Sequence, residues 1–256
     1  MVKATTASLA NAIKGIRTKL VVILDGCPEE YVRLFDDTFG NGKFANVDFK
    51  RIATPSIGNQ TTYAKQVEIL SNSLADAEFL YFSEDDYIYK DIAFIAMMDF
   101  LARPEVDFVT PLDHPDRYSH IVPEKTKVEV RVSPFCHWRE VGSTCCTFMC
   151  RSKTFRHASK ALVDYAKGSG DGGMWIGITK DNIFSLSATI GAAIRYVLGK
   201  RKTQEGLEFC TLAAWKYHKM GLLFRHRYRL WGPIPTLAVH LCKPSLPPLA
   251  DSFGIL

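Results

Sequence analysis

The chain has 256 residues, of which 47% are hydrophobic and 23% are charged, a composition typical of a globular protein. This length suits one large domain or two closely joined halves, and it can bury a full hydrophobic core. The 32 basic and 27 acidic residues give a net charge of +5. That excess favours an anionic ligand or a membrane surface, but it is too small to indicate nucleic-acid binding.

Seven cysteines are present, an odd number, and none belongs to a Cys-x-x-Cys pair. Cys145, Cys146 and Cys150 lie in one apolar run, which is typical of buried thiols. No N-terminal signal peptide is evident, and no apolar run reaches the roughly 18 residues that a membrane span requires. We therefore expect reduced thiols and a cytoplasmic protein without a transmembrane segment, for which peripheral membrane contact stays open.

The first 115 residues alternate between helix and strand patterns. Helices are predicted over residues 8–16 (with Ser8 as N-cap), 29–39, 61–77 and 91–101, and strands over residues 19–24, 47–53, 79–82 and 106–111. Strands that alternate with helices predict a mostly parallel sheet covered on both faces. Ligands in such sheets bind outside the carboxyl ends of the strands.

The pattern changes after about residue 115. The predicted elements there are an antiparallel, hairpin-like insertion (127–132 and 143–151, with Trp138 and Arg139 near its turn), a glycine-rich loop (168–173), helical stretches (174–198), a charged loop (200–206) and a helix (207–219). Arg225, Arg227 and Arg229 then alternate, as on a solvated strand face or a phosphate-binding edge. The segment 232–248 contains five of the twelve prolines and is expected to be extended.

Three consecutive acids, Glu84, Asp85 and Asp86, follow the predicted strand that begins at Phe79. Carboxylates at a strand's end suit Mg²⁺ or Mn²⁺, which prefer oxygen ligands and often bind substrate phosphates as well. A solvated turn after an edge strand explains the same residues. Asp25 and Asp113 also follow predicted strands, so a parallel sheet would bring them to the same edge.

Residues 79–100 contain a strand, the Glu-Asp-Asp run and a helix that begins near an acid. They resemble the D-x-D region of nucleotide-sugar glycosyltransferases of the GT-A fold, and the run is similar to that of certain N-acetylglucosaminyltransferases. The order of the surrounding elements also resembles this family over most of the chain. The resemblance implies a Rossmann-like α/β fold with a mostly parallel central sheet, flanking helices and a small antiparallel insertion on the acceptor side. It further implies one catalytic domain over residues 1–256, in which about 1–112 bind the nucleotide sugar and about 113–256 bind the acceptor.

The resemblance assigns roles to the acidic residues and to one histidine. Asp86 matches the direct ligand of Mn²⁺ or Mg²⁺, while Glu84 and Asp85 match groups that contact the ribose, or the metal through water. Asp25 matches the acid that meets the base or ribose. His240 matches a histidine that these enzymes bring back to the metal from near the C-terminus, although a lone histidine in an apolar strand is often a core residue.

Three further residues are nucleotide-binding candidates. Asn59 precedes the helix that carries Lys65, a side chain that either faces the diphosphate or is a solvated helix lysine. The family's first strand is expected before Ser8, where only residues 1–6 are available. A contact from Thr5 to the nucleotide depends on a short strand forming there.

An inverting enzyme of this class needs a carboxylate to deprotonate the acceptor hydroxyl. Asp171, in the sequence GSGDGGMW, is the first candidate, because glycines allow the backbone to approach a ligand; a helix N-cap is the alternative. Asp113, in PLDHPDRY, is the second candidate, unless that segment is a tight turn. Trp138 and Trp175 either stack on a sugar or belong to the core.

The sequence therefore predicts a metal-dependent, inverting glycosyltransferase. It would move a sugar from a nucleoside diphosphate, UDP rather than GDP, to a hydroxyl of a glycan or glycoconjugate acceptor. The alternatives are a retaining glycosyltransferase, a noncatalytic nucleotide- or sugar-binding protein on the same scaffold, and a sugar nucleotidyltransferase, whose glycine-rich basic N-terminal signature is not seen. A position of Asp171 far from Glu84 and Asp86 would favour the noncatalytic protein.

Overall fold

A computed structural model of the chain describes residues 1–40, 42–119, 128–181, 183–184, 190, 194, 207–219 and 221–242. The described helices are α1 (Val2–Ala12), α2 (Glu29–Phe39), α3 (Asn59–Ser71), α4 (Ala93–Leu101), α5 (Asp116–Ser119), α6 (Ser152–Leu162), α7 (Gly170–Thr179), α8 (Leu207–His218) and α9 (Gly221–Phe224), with a 3-10 helix at Val163–Lys167. The described strands are β1 (Thr18–Asp25), β2 (Val47–Thr54), β3 (Phe79–Phe82), β4 (Tyr87–Tyr89), β5 (Phe108–Val109), β6 (Val130–Val132), β7 (His137–Val141), β8 (Phe148–Arg151), β9 (Leu230–Ile234) and β10 (Ala238–His240).

The described strands form three sheets. The largest has six strands in the order β3-β8-β5-β9-β7-β6, in which β5 and β9 are parallel and the other four neighbouring pairs are antiparallel. β1 and β2 form a parallel pair over eight residues, and β4 and β10 form an antiparallel pair. The prediction of an α/β fold is confirmed, whereas the prediction of a mostly parallel central sheet is wrong.

The error has a physical reason in β3, whose residues are all apolar. Such a run predicts burial on both faces, and both faces of this sheet are indeed covered, but burial does not depend on strand direction. The neighbour of β3 is β8, which runs the opposite way and pairs Phe79 with Arg151 and Phe82 with Phe148. The alternation of single helices with single strands therefore stops being informative after β3.

The two faces of the large sheet pack into two separate hydrophobic cores. Since successive side chains of a strand point to opposite faces, Leu80 and Phe82 pack with Phe148 in one core, while Tyr81 packs with Met149 in the other. Helices α3, α6 and α7 contribute to the first core, and α1, α2 and α4 contribute to the second.

Trp138 and Trp175, the two candidates for sugar stacking, are both fully buried in these cores. Trp138 is the second residue of β7, just after the turn that joins β6 to β7, and its ring stacks on Phe100 with centroids 4.6 Å apart. The Trp175 ring packs edge-on against Phe148 at 4.9 Å. The core interpretation of both tryptophans is therefore favoured over contact with a sugar.

The amino-terminal segment is helical, so the strand expected within residues 1–6 does not form. Helix α1 begins at Val2 and ends at Ala12, several residues earlier than predicted. Ser8 lies inside it rather than at its N-cap, and its hydroxyl accepts a hydrogen bond from the Tyr89 backbone N–H (3.2 Å). This bond attaches α1 to β4.

The glycine-rich segment after the 3-10 helix is part of α7 and not a loop. A Cβ atom at Gly173 would lie 2.9 Å from the Cβ of Ala213, and one at Gly177 would lie 2.2 Å from the His218 ring. These glycines let α7 pack closely against α8, so they serve the helix pair. The helical prediction is confirmed up to Thr179. Most of residues 180–198, the predicted loop 200–206 and the tail after Cys242 lie outside the described residues.

The alternating arginines near the C-terminus contact carboxylates of the body. Arg225 lies 3.6 Å from Asp164, and Arg227 and Arg229 lie 3.5 and 3.1 Å from Glu140. Because Asp164 and Glu140 are buried, these pairs anchor the segment between α9 and β9. Arg225 and Arg227 stay exposed, as on a solvated face, while carboxylates rather than a phosphate are the partners of the three arginines.

Two further properties concern the thiols and the membrane. All seven cysteines carry free thiols. Within the described ranges, no helix combines the length and the apolar character that crossing a membrane would require.

We expect Phe148→Ala to lower the free energy of unfolding by about 3–5 kcal/mol, because it removes a ring from the centre of a core. Phe148 is 0% exposed and stacks on Phe82 at 4.5 Å. Urea denaturation measures the loss. Phe224→Ala, at a residue that is 78% exposed, is the matched control and should change stability by less than about 0.5 kcal/mol. Equal effects of the two substitutions would contradict this core.

Candidate functional site

The acid loop, residues 83–86, joins β3 to β4, and its backbone is fixed from three directions. The Glu84 N–H donates to Thr147 Oγ1 (3.1 Å), and the Asp85 carbonyl accepts from Thr5 Oγ1 (2.8 Å). The Asp86 carbonyl accepts from the Leu241 N–H (2.8 Å). The positions of the three carboxylates are therefore determined by β8, α1 and the C-terminal strand together.

The pairing of β10 with β4 carries His240 to Asp86 from 154 residues away. His240 lies opposite Tyr87 in this ladder, its imidazole stacks on the Tyr87 ring with centroids 4.7 Å apart, and its Nε2 lies 2.8 Å from Asp86 Oδ2. On its other side, Nδ1 lies 4.0 Å from the Cys145 sulfur. The structure thus brings together the two residues that the sequence predicted as metal ligands.

The protonation of His240 reflects the negative charge around it. Burial disfavours the imidazolium, but the hydrogen bond to Asp86 and the charges of Asp86, Glu84 and Asp171 outweigh burial. The pKa of His240 is therefore raised above its ordinary value. The histidine is half-buried, with 13% of its side chain exposed.

Glu84 has the most strongly perturbed carboxyl of the acid loop. Burial and the neighbouring Asp86 and Asp171 raise the pKa of Glu84 to about 7, although the hydrogen bond that its Oε2 accepts from Thr147 Oγ1 (2.9 Å) acts in the opposite direction. Asp85, by contrast, is exposed. The loop therefore partly buries the carboxyls of Glu84 and Asp86 and leaves the carboxyl of Asp85 in solvent.

Asp171 lies in the first turn of α7, and its surroundings connect it with the acid loop. Its Oδ1 accepts the Gly172 N–H (2.7 Å). Asp171 is exposed, yet the protein around its carboxyl desolvates it, and this desolvation raises the pKa of Asp171 despite the hydrogen bonds and the nearby His114 and His240. Its charge also acts on Glu84.

A chain of contacts joins α7 to the histidine. The Trp175 indole N–H donates to the Cys145 carbonyl (3.3 Å), and the Cys145 sulfur faces the His240 imidazole. Helix α7 consequently places both Asp171 and a wall of the site.

Asp113, the second candidate base, is buried and surrounded by partners. Its carboxylate lies 3.4 Å from Arg117 and 3.6 Å from Arg139, and it accepts the Tyr118 hydroxyl. Burial and this hydrogen bond raise the pKa of Tyr118 to about 12. A carboxylate held by two guanidinium groups and a phenol is a poor proton acceptor, so the structure favours Asp171 over Asp113.

The remaining nucleotide-binding candidates occupy separate positions. The Asp25 carboxylate accepts hydrogen bonds from Thr54 Oγ1 and from the N–H groups of Ile57 and Gly58, each 2.7 Å long. Slight desolvation opposes them, but together they lower the pKa of Asp25. Asp25 thereby fixes the turn before α3, which begins at Asn59 and carries the half-buried Lys65. In the described part of the chain, no hydrogen bond or ion pair joins these three residues to the acid loop, whereas Thr5 does contact it.

The donors at Asp86 and His240 suit a cation that they share with other ligands. Among the described residues, no cluster of three or more His, Cys, Asp or Glu side chains is arranged to hold a metal ion. Asp86 Oδ1 is nevertheless buried without a hydrogen-bond partner. The 2.8 Å between Asp86 Oδ2 and His240 Nε2 also suits neighbouring ligands of a cation whose bonds are about 2.1 Å long. The pair fits Mg²⁺ or Mn²⁺ completed by water and phosphate oxygens, and it does not fit a metal held by protein ligands alone.

Three residues of the site were not predicted from the sequence: Thr147, Cys145 and Tyr87. Thr147 orients Glu84, Cys145 faces His240, and the Tyr87 ring stacks on the His240 imidazole. Thr147 and Cys145 belong to an apolar run before and within β8, where nothing in the residue pattern marks a functional contact. Only the spatial pairing of β3 with β8 and of β4 with β10 identifies them.

Comparisons of the chain with protein-family models, with curated protein sequences and with solved structures found no match. The interpretation of the site therefore depends on its own residues and geometry.

The histidine–aspartate contact leads to a prediction about proton binding. Asp86→Asn should lower the pKa of His240, because it removes the negative charge at 2.8 Å that stabilises the imidazolium. A titration of the histidine Cε1 protons by NMR measures the shift. The exposed His157 on α6 is the internal control and should titrate unchanged. An unshifted His240 would contradict the contact.

The two candidate bases should differ in their effect on stability. Asp113→Asn should destabilise the fold by about 3 kcal/mol, since it leaves buried guanidinium groups without their counter-charge. Asp171→Asn should change stability by less than about 0.5 kcal/mol, because Asp171 reaches solvent. Chemical denaturation compares the two variants, and a destabilising Asp171→Asn would mean that Asp171 is structural.

Proposed function

We propose that the chain is a metal-dependent glycosyltransferase of the GT-A type that uses a nucleoside diphosphate sugar, with UDP favoured. The observation that carries the proposal is the 2.8 Å contact between Asp86 and His240, made by residues 154 positions apart in the sequence. A solvated turn at residues 84–86 would not require a C-terminal strand to return to it, nor an Asp86 oxygen that is buried without a partner.

The donor is proposed to bind across the acid loop. Asp86 and His240 would hold Mn²⁺ or Mg²⁺, which when bound stabilises the charge on the leaving diphosphate as a Lewis acid. Glu84, which is half-buried behind Asp86, would orient Asp86 or meet the ribose, and the exposed Asp85 is free to rotate towards the nucleoside. The charge of this group of acids supports binding of a cation–diphosphate rather than of a bare anion.

Asp171 is proposed as the general base for transfer. The acceptor hydroxyl oxygen forms the new bond to the anomeric carbon of the donor, and the bond to the diphosphate oxygen breaks with its electron pair on that oxygen. The Asp171 carboxylate takes the hydroxyl proton. Its raised pKa makes it a better proton acceptor than an ordinary aspartate, and its exposure leaves it accessible to a hydroxyl of a glycan or glycoconjugate.

A single displacement of this kind inverts the configuration at the anomeric carbon. Asp171 and Asp86 belong to different elements, α7 and the acid loop, so the proposed proton acceptor is distinct from the proposed ligand of the cation–diphosphate. This separation of the proton acceptor from the group that holds the diphosphate supports the inverting reaction over the retaining one.

Binding and transfer should separate in the variants. Asp86→Asn and His240→Gln should each weaken binding of UDP in the presence of Mn²⁺ by about tenfold or more, a loss of at least about 1.4 kcal/mol. Isothermal titration with Mn²⁺ and UDP measures this loss. The matched control is Asp91→Asn, which removes the same charge from an exposed residue just beyond β4 and should bind normally.

Asp171→Asn should retain UDP binding but lower the rate of sugar transfer by about 10²–10⁴-fold, the usual contribution of a general base. Transfer from nucleotide sugars identified by a thermal-shift screen with and without Mn²⁺ provides the assay. Metal-independent UDP binding would contradict the proposed donor site, and normal turnover of Asp171→Asn would exclude that residue as the base.

A further inference from the structure

A cavity of about 470 Å³ lies at one end of the strands of the large sheet, where β8 ends and α6 begins. Cationic and hydroxyl side chains line most of it: Arg151, Lys153, Thr154, His157, His226 and Tyr228. These residues come from β8, from the first turns of α6 and from the segment that leads into β9. The cavity is therefore built from three parts of the fold rather than from one loop.

This cavity is separate from the acid loop. Arg151 pairs with Phe79 at the start of β3, whereas Glu84 follows the other end of that strand. Five residues of extended chain span about 16 Å at 3.3 Å per residue. A ligand in this cavity would not contact Asp86 or His240.

The positively charged side chains at this end of the sheet form no ion pair with the described residues. Lys153 and His157 are exposed on α6. The Arg151 guanidinium donates to the carbonyls of Pro104 (3.2 Å) and Val106 (3.0 Å), so its position is fixed while its charge stays available. The acid in the lining, Asp107, accepts the Arg229 N–H (2.9 Å), and burial raises its pKa although this hydrogen bond and the charges of Arg151 and Arg229 act in the opposite direction.

Two largely buried residues present their hydroxyls to the cavity. Thr154 and Tyr228 both line it, and each is only 7% exposed. Neither hydroxyl forms a hydrogen bond within the described part of the chain, and neither oxygen is fully enclosed by protein, so both can reach a molecule in the cavity. The Tyr228 ring is fixed edge-on against His226 at 4.9 Å. Both hydroxyls can therefore donate hydrogen bonds to a molecule in the cavity.

The start of α6 adds backbone donors. This 11-residue helix has no side-chain cap at its N-terminus, and its first turn contains no acid. The first of these donors, the Ser152 N–H, donates to the Glu78 carbonyl (2.9 Å). The N–H groups that follow in a first helical turn have no partner within the helix and point towards an anion placed at its end. Backbone donors, two hydroxyls and several cations thus converge on one cavity.

We propose that this cavity binds a phosphate group, carried either by a soluble phosphate ester or by the headgroup of an anionic lipid. A phosphate has several acceptor oxygens, enough to engage the α6 N–H groups, Lys153 and both hydroxyls at once. The volume also accommodates a small organic group attached to the phosphate. The site is independent of the proposed donor site, because the two lie at opposite ends of β3.

The test is a titration of the full chain with inorganic phosphate and with glycerol phosphate at constant ionic strength, followed by calorimetry. Saturable binding in the millimolar range or tighter is expected, and chloride at the same ionic strength should not compete. Lys153→Gln should weaken binding about tenfold, as expected for loss of one charge-assisted hydrogen bond, and Tyr228→Phe about threefold. Lys160→Gln is the matched control, because it removes the same charge from the same helix outside the lining.

Cosedimentation with phosphatidylcholine vesicles, with and without phosphatidic acid, distinguishes the two sources. Binding to phosphatidic acid vesicles that is lost in Lys153→Gln but not in Lys160→Gln assigns the ligand to a lipid, and the same pattern with glycerol phosphate alone assigns it to a soluble ester. Equal losses in the two lysine variants would show a diffuse effect of charge and overturn the proposal. Failure of the wild-type chain to bind any of these phosphates would also overturn it.

Discussion

The antiparallel pairing of β10 with β4 is the contact on which the candidate site depends. It places His240 against Asp86, and the adjacent Leu241 N–H binds the carbonyl of Asp86. Without this pairing, the acid loop would be held only by Thr5 and Thr147, and its Asp86 carboxylate would have no basic neighbour. A three-residue strand near the C-terminus therefore completes a site whose acid loop lies in the first half of the chain.

The electrostatics of the site follow from burial and from the acids. Burial together with neighbouring negative charge raises the pKa of Glu84 to about 7, and burial raises the pKa of Asp171, while the carboxylates of Asp86, Glu84 and Asp171 raise the pKa of His240. Each of these shifts favours an added positive charge, either a proton or a cation. A divalent cation at Asp86 would supply it, and we propose that the nucleoside diphosphate then balances the cation. The basic cavity at α6 has the opposite character and suits an anion directly.

The local elements of the amino-terminal half follow from the sequence, because hydrophobic periodicity reports local burial. The bounds of α2 are those predicted, β1 is one residue longer at each end, and β2 is one residue longer at its C-terminal end. The sheet order does not follow, since β3 pairs with the distant β8, and no residue of β3 encodes that partner or its direction. The glycines of α7 were interpreted as a loop because their cause, close packing on α8, lies in another segment.

Residues of the site could be predicted where a short run of acids marks them, as at residues 84–86. They could also be predicted where the resemblance supplied a distant partner, as at His240. They could not be predicted where a side chain acts by position alone. Thr147 and Cys145 belong to this second group, and Asp113 was overestimated because the partners that neutralise it, Arg117 and Arg139, are recognised only in three dimensions.

The most direct test of the account is pulsed electron paramagnetic resonance of Mn²⁺ bound together with UDP to chain labelled with ¹⁵N-histidine. The proposed site predicts a ¹⁵N hyperfine coupling that disappears in His240→Gln and persists in His157→Gln. Mn²⁺ bound with UDP but without any histidine nitrogen coupling would contradict the assignment of His240 as a ligand, and with it the central role of the β4–β10 pairing.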